Sequence, residues 1–132
     1  MGKELYGLKI LVVDDDLGTC ELIEWVLRRV GAEVVTVNSA REAMAALEEQ
    51  RFHLLISDIA MPEEDGYALL KQVRALPPER GGKMPAVALT AHSLIQDRLQ
   101  SLRAGFQSHV PKPVVPEELV EVVTSIIQLR QV

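Results

Sequence analysis

Leu8-Lys9-Ile10-Leu11-Val12-Val13-Asp14-Asp15-Asp16 is the stretch that decides the fold: an apolar, β-branched run that breaks off at three consecutive carboxylates. Because successive residues are apolar, and not only alternate ones, the run fits a strand covered on both faces. Such strands belong to parallel sheets with helices on either side. The strand therefore delivers its acids to one edge of a sheet. Two further segments repeat the device: His53 to Ser57 (HLLIS) runs into Asp58, and Pro85 to Thr90 (PAVALT) ends on a hydroxyl.

Helical patterns alternate with these strands. From Thr19 the residues Leu22, Ile23, Val26, Leu27 and Val30 recur at helical spacing, with Asp16 placed as N-cap and Gly31 just past the end. Glu33 to Val37 reads as a second strand. Ser39, with Glu42 three residues on, has the spacing of a capping box for an Ala-rich helix over about 40–50. A third helix covers roughly Asp65 to Leu76 and stops at Pro77-Pro78, and a polar, Gly-containing loop follows over Glu79 to Met84. Leu94 to Ala104 gives a fourth helix ending at Gly105. A short strand over Gln107 to Val110 then meets Pro111-Lys112-Pro113, and Pro116 to Leu129 is the last helix, with Leu119, Val122, Val123, Ile126 and Ile127 on one face. Five strand–helix pairs predict an α/β, doubly wound sandwich with a parallel sheet and right-handed crossovers.

Composition narrows the function. In 132 residues, 48% hydrophobic and 25% charged residues match an ordinary globular domain and exclude a disordered or fibrous chain. Fourteen Lys and Arg against nineteen Asp and Glu leave a formal charge of −5, which argues against a direct nucleic-acid partner held by a broad basic face. The single cysteine, Cys20, allows no internal disulfide and lacks zinc-site spacing, as suits a reducing, cytoplasmic setting. No apolar run approaches the about 18 residues of a membrane span, so no membrane insertion is expected. Trp25 and Cys20 are read as packing or flanking residues of the first helix, and Met61-Pro62 as shaping the turn after Asp58.

Ligands of open α/β sheets sit outside the carboxyl ends of the strands, so the residues at those ends carry the chemistry. Here they are Asp14-Asp15, Asp58, Thr90-Ala91 and, after the last strand, Lys112-Pro113. Carboxylates gathered at one edge repel unless a cation compensates. An all-oxygen ligand set favours a hard ion such as Mg²⁺, which works with phosphate oxygens. A carboxylate is also a nucleophile able to form an aspartyl phosphate, with Mg²⁺, a lysine and a hydroxyl around the transferring group. Taken singly, each residue has a plainer explanation: a solvated turn, a loop Asp, a β-former, a surface charge. Together each falls at the end of a different strand in the right order, and that joint pattern carries the reading.

These residues resemble the receiver domains of two-component response regulators. VVDDD at Val12 to Asp16, SDIAMPEEDG at Ser57 to Gly66, ALTA at Ala88 to Ala91 and VPKP at Val110 to Pro113 match that family's motifs in order and spacing, over about Leu8 to Gln128. The resemblance implies a flavodoxin-like (βα)5 sandwich of strand order 2-1-3-4-5, with a receiver domain over 8–130 and a lead-in or linker over 1–7. It implies that Asp58 accepts a phosphoryl group from a phosphohistidine on a histidine kinase or histidine phosphotransfer domain. Asp14, Asp15, Asp58 and the main-chain carbonyl of Ala60 would hold Mg²⁺, with Mn²⁺ as a substitute. Thr90 and Lys112 would contact phosphoryl oxygens, Ala91 would leave space beside them, and the Lys112–Pro113 bond would be cis. The downstream effector stays unnamed.

One position departs from the pattern. Three residues before the lysine the family usually has Tyr or Phe, and here stands His109. It either swings inward with Thr90 as a switch, with pH sensing a weaker option, or is a half-exposed strand residue without that role. His92 and Ala60 flank the acceptor where family members tune dephosphorylation. Ala60 also argues against a turnover phosphatase, which needs a second carboxylate two residues after its nucleophile. The chemistry expected is self-catalysed phosphorylation and dephosphorylation, in a stand-alone regulator or in the receiver of a hybrid sensor histidine kinase. The competing reading is a phosphorylation-independent interaction module. A flavodoxin-type FMN carrier is disfavoured, because Asp14 to Asp16 would repel the phosphate.

Overall fold

The computed structural model describes residues 5–91 and 95–130. Strands β1 (Lys9–Val13), β2 (Glu33–Val37), β3 (Leu54–Asp58), β4 (Ala86–Thr90) and β5 (Ser108–Pro111) alternate with helices α1 (Leu17–Arg29), α2 (Ala40–Glu49), α3 (Gly66–Arg74), α4 (Ile95–Ala104) and α5 (Pro116–Arg130). All pairings are parallel and the sheet order is β2-β1-β3-β4-β5, as the resemblance implied. In register, Ile10 faces Leu54, Leu55 faces Ala86 and Val87 faces Ser108. Five-residue β3 and β4 are buried at every position, which is why their sequences show no polar alternation.

The pleat splits these apolar runs between two cores. Ile10, Val12, Leu54, Ile56, Val87, Leu89 and Val110 meet α1 and α5 on one face. Leu11, Val13, Leu55, Ala86 and Ala88 meet α2 and α3 on the other, where Phe106 is also buried. A strand with one apolar face would supply only one of these layers.

Helix ends follow the local chemistry. The Asp16, Ser39 and Asp65 side chains accept from the N–H groups of Gly18, Glu42 and Ala68, capping α1, α2 and α3. The Glu42 carboxylate reaches the N–H of Asn38, not of Ser39, at 2.7 Å, so the expected box closes one residue further out. At the end of α1, Gly31 N–H bonds Arg28 O and Ala32 N–H bonds Leu27 O, with Gly31 at φ 100°, a Schellman closure. Boundaries shift slightly from the expectation. Helix α1 starts at Leu17, before its apolar stripe, because its cap is Asp16, and Pro78–Arg80 forms one 3₁₀ turn that leads into the expected loop. Cys20 is buried as a packing residue, whereas Trp25 is 58% exposed with the Arg29 guanidinium 4.6 Å from its ring centroid.

Candidate functional site

Asp14 is the first residue beyond β1. Its N–H still donates to Val37 O, 3.1 Å away, so the sheet fixes where the side chain starts. That side chain is wholly buried. Its Oδ1 accepts from the Asp16 N–H at 2.9 Å, and its Oδ2 lies 2.8 Å from Lys112 Nζ in an ion pair without hydrogen-bond alignment. Asp16, the next acid but one, is committed to capping, taking Gly18 N–H at 3.2 Å and the Thr19 hydroxyl at 2.6 Å. Chiefly that hydroxyl holds the exposed Asp16 carboxyl below its usual range.

Asp58 ends β3 and is only 3% exposed. Its Oδ1 accepts from the Ala60 N–H at 3.1 Å, and its Oδ2 lies 3.3 Å from Lys112 Nζ. The following loop is tight. Glu64 N–H donates to Pro62 O at 2.9 Å around Glu63 at φ 69°, a three-residue turn that lets Met61 return to the core. At its far end Gly66 starts α3 so close beneath β3 that an added Cβ would collide with the Asp58 carbonyl oxygen and lie 2.8 Å from Ile59 Cα.

Lys112 arrives from the other side of the sheet. Its N–H donates to Thr90 O at 2.8 Å, one rung beyond the Thr90–Pro111 pair, and the Lys112–Pro113 bond is cis. Thr90 is 2% exposed and stands one residue past Leu89, the register partner of Asp58. The sequence-predicted Asp14, Asp15, Asp58, Thr90 and Lys112 thus meet at one sheet edge, and carboxylate oxygens of the three acids lie within 4.8 Å of one another.

Burial pushes the Asp58 carboxyl upward, with the charge of Asp14 adding to it and the Ala60 N–H and Lys112 opposing it. Burial alone would lower Lys112, but its close ion pair with Asp14, together with the Asp58 charge, outweighs it and raises the ammonium. One ammonium therefore does not balance the acids around it. Buried Asp14 Oδ2 has no aligned donor, and the remaining ligand atoms are all oxygen, so the residues present fit a hard divalent cation.

His109, opposite Ala88 in the sheet, is half-buried, and burial followed by the nearby Arg98 charge holds its imidazole below the usual range. Ala60 and Ala91 are exposed beside the acids. His92 lies outside the described residues. Sequence reasoning missed Asn38 and the polar role of Cys20. The Asn38 side-chain amide donates to the Asp14 main-chain carbonyl at 3.0 Å, and the Cys20 thiol points to the same oxygen at 3.3 Å. Burial pushes that thiol up to about 11, with the charge of Asp14 adding to the effect, so it stays protonated. No spacing rule marks a donor 24 residues from its acceptor.

A sheet of this order, with acids and a lysine converging at the carboxyl ends of its strands, defines a flavodoxin-like phosphoacceptor architecture. The family model described as "response regulator receiver domain" matches residues 10–124, and the chain belongs to that family. It is 46% identical over 121 residues to the "uncharacterized 14.6 kDa protein in sodA1 3'region" of Leptolyngbya boryana, covering 92% of this chain and 91% of that one. It is 36% identical over 108 residues to the transcriptional regulatory protein ZraR of Escherichia coli K12, covering 82% of this chain but only 24% of ZraR. The chemotaxis response regulator CheY4 of Vibrio cholerae superposes with a TM-score of 0.84 at 28% identity, over 90% of this chain and 98% of that one. Aspartyl phosphorylation in a phosphorelay is the general function of this family, whose members bind Mg²⁺ and pair with histidine kinases or phosphotransfer proteins. Among the described residues no helix is long and apolar enough to cross a membrane.

Proposed function

We propose that Asp58 is the phosphoryl acceptor of this receiver, within a domain spanning 8–130, and that the lead-in over 1–7 takes no part in the chemistry. The observation that carries the proposal is Lys112 Nζ, 2.8 Å from Asp14 and 3.3 Å from Asp58, between two carboxylates that are buried yet face each other across one cation. A carboxylate oxygen of Asp58 attacks phosphorus, the P–N bond to the donor imidazole breaks, and the imidazole leaves with that electron pair and takes up a proton from solvent. Asp14, Asp15, Asp58 and the Ala60 carbonyl hold Mg²⁺, or Mn²⁺ in its place. The bound ion supplies charge neutralisation for the transferring group. Lys112 stays with Asp14 until phosphoryl oxygens arrive and then turns one donor toward them. Thr90 offers its hydroxyl to another oxygen.

The partner that supplies phosphate is a histidine kinase or a histidine phosphotransfer domain, met in the cytoplasm. The chain serves either alone or as the receiver of a hybrid sensor histidine kinase, and Thr90 with His109 passes the phosphorylated state to its effector. The chemistry is self-catalysed phosphorylation and dephosphorylation, not conventional turnover.

Intact-protein mass after incubation with Mg²⁺ and acetyl phosphate tests the assignment. The expected result is one labile phosphoryl adduct, lost in Asp58→Ala and lost without metal. An adduct that survives in Asp58→Ala moves the acceptor elsewhere. No adduct from acetyl phosphate or from a phosphohistidine donor leaves the interaction-module reading in place.

A further inference from the structure

We propose that Asn38 is a positioning residue for the cation site, acting through the main chain of Asp14 and touching neither the ion nor the phosphoryl group. This inference rests on Asp14 and Asp15 being ion ligands. Both backbone polar groups of Asp14 are held: its N–H by Val37 O of β2, and its carbonyl by the Asn38 amide at 3.0 Å and the Cys20 thiol at 3.3 Å. The same peptide unit begins Asp15. With Oδ1 occupied by the Asp16 N–H, only Oδ2 of Asp14 is left directed at Lys112. Asn38 is itself anchored, because its own N–H donates to the Glu42 carboxylate at 2.7 Å in the first turn of α2.

The chemical type of this clamp matters. Three carboxylates with oxygens within 4.8 Å repel, and rotation about the Asp14–Asp15 backbone is one way for them to separate. A neutral amide holding the carbonyl blocks that rotation without neutralising an acid or occupying a carboxylate oxygen. A lysine or arginine at 38 would hold the chain but compete with the ion. The clamp thus keeps the ligands converged before any cation arrives, as partners that orient metal ligands do.

Mn²⁺ titration read by the electron paramagnetic resonance of the free ion tests this on the unphosphorylated protein, with no dependence on phosphorylation. Asn38→Ala should weaken Mn²⁺ binding about 10-fold, while the urea midpoint measured in chelator stays close to that of the parent chain. Asn38→Asp is the sharper variant. It keeps the shape, removes the donor and adds negative charge near the ion, so a positioning role predicts weaker binding and a mere field effect predicts tighter binding. Tighter binding in Asn38→Asp, or parent-like binding in both variants, overturns the positioning role while leaving the ion site intact. A parent chain that binds no Mn²⁺ overturns the ion site and this inference together. Should Asn38→Ala unfold in chelator, Cys20→Ala removes the second donor to the same carbonyl and is expected to weaken Mn²⁺ in the same direction; unchanged affinity there counts against the clamp.

Discussion

Helices α3 and α4 are sequence neighbours on the same side of the sheet, yet they are seated very differently. Helix α3 buries Gly66, Leu69, Leu70 and Val73, and Arg74 at its end donates to the carbonyls of Gly82, Met84 and Gly105. Among the described side chains of α4 only Ser101 is buried, while Leu99 and Leu102 are 45% and 55% exposed. The helix beneath the proposed acceptor is thus fixed by packing and by hydrogen bonds to two loops. The helix between β4 and β5, which carry Thr90 and His109, is far less buried along its described side chains. This division suits a receiver: acids held in place for the chemistry, and next to them an element whose equilibrium a phosphoryl group can shift.

Removing the lysine tests the fixed side most severely. Lys112→Ala takes away the one ammonium shared by Asp14 and Asp58, and adduct formation from acetyl phosphate should slow about 10²–10³-fold, followed by mass against time. Gly66→Ala comes next, since its Cβ has backbone and not a flexible side chain to displace. A loss of about 1–3 kcal/mol in urea unfolding is expected, with slower phosphorylation as Asp58 is pushed out of place.

Smaller effects belong to the α4 side. The folded His109 imidazole titrates below its unfolded value of about 6.5, so the folded state binds fewer protons in that window. His109 therefore contributes nothing adverse above that value and lowers stability as pH falls through it toward the folded pKa, levelling off below. His109→Phe should flatten this part of the stability–pH curve, and an unchanged slope assigns it to other groups. Leu102→Ser should change stability by less than about 0.5 kcal/mol, and a larger loss would show that α4 is seated more firmly than its exposure indicates.

Much of this was legible in order along the chain. Apolar runs ending on Asp14, Asp58 and Thr90, with Lys112 after the last strand, place those groups at one sheet edge once the strands are parallel, because parallel strands present their carboxyl ends together. Asp16, Ser39 and Gly31 marked helix ends because caps act over two to five residues. Trp25 read as part of the α1 flank, yet its exposure depends on what α5 leaves uncovered, which no local pattern states.

The sequence by itself determined the element types, the two-faced burial of the sheet and the identity of the acids, lysine and hydroxyl at its edge, since these depend on residue type and short-range spacing. Tertiary structure decided the rest. It bridged Asp14 and Asp58 through one Lys112, brought Gly66 against the Asp58 carbonyl and hung the Asn38 amide on the main chain of Asp14. Each of these is a meeting of groups far apart in sequence, set by how strands and helices pack, and a hydrogen bond falls away within about an ångström of misplacement.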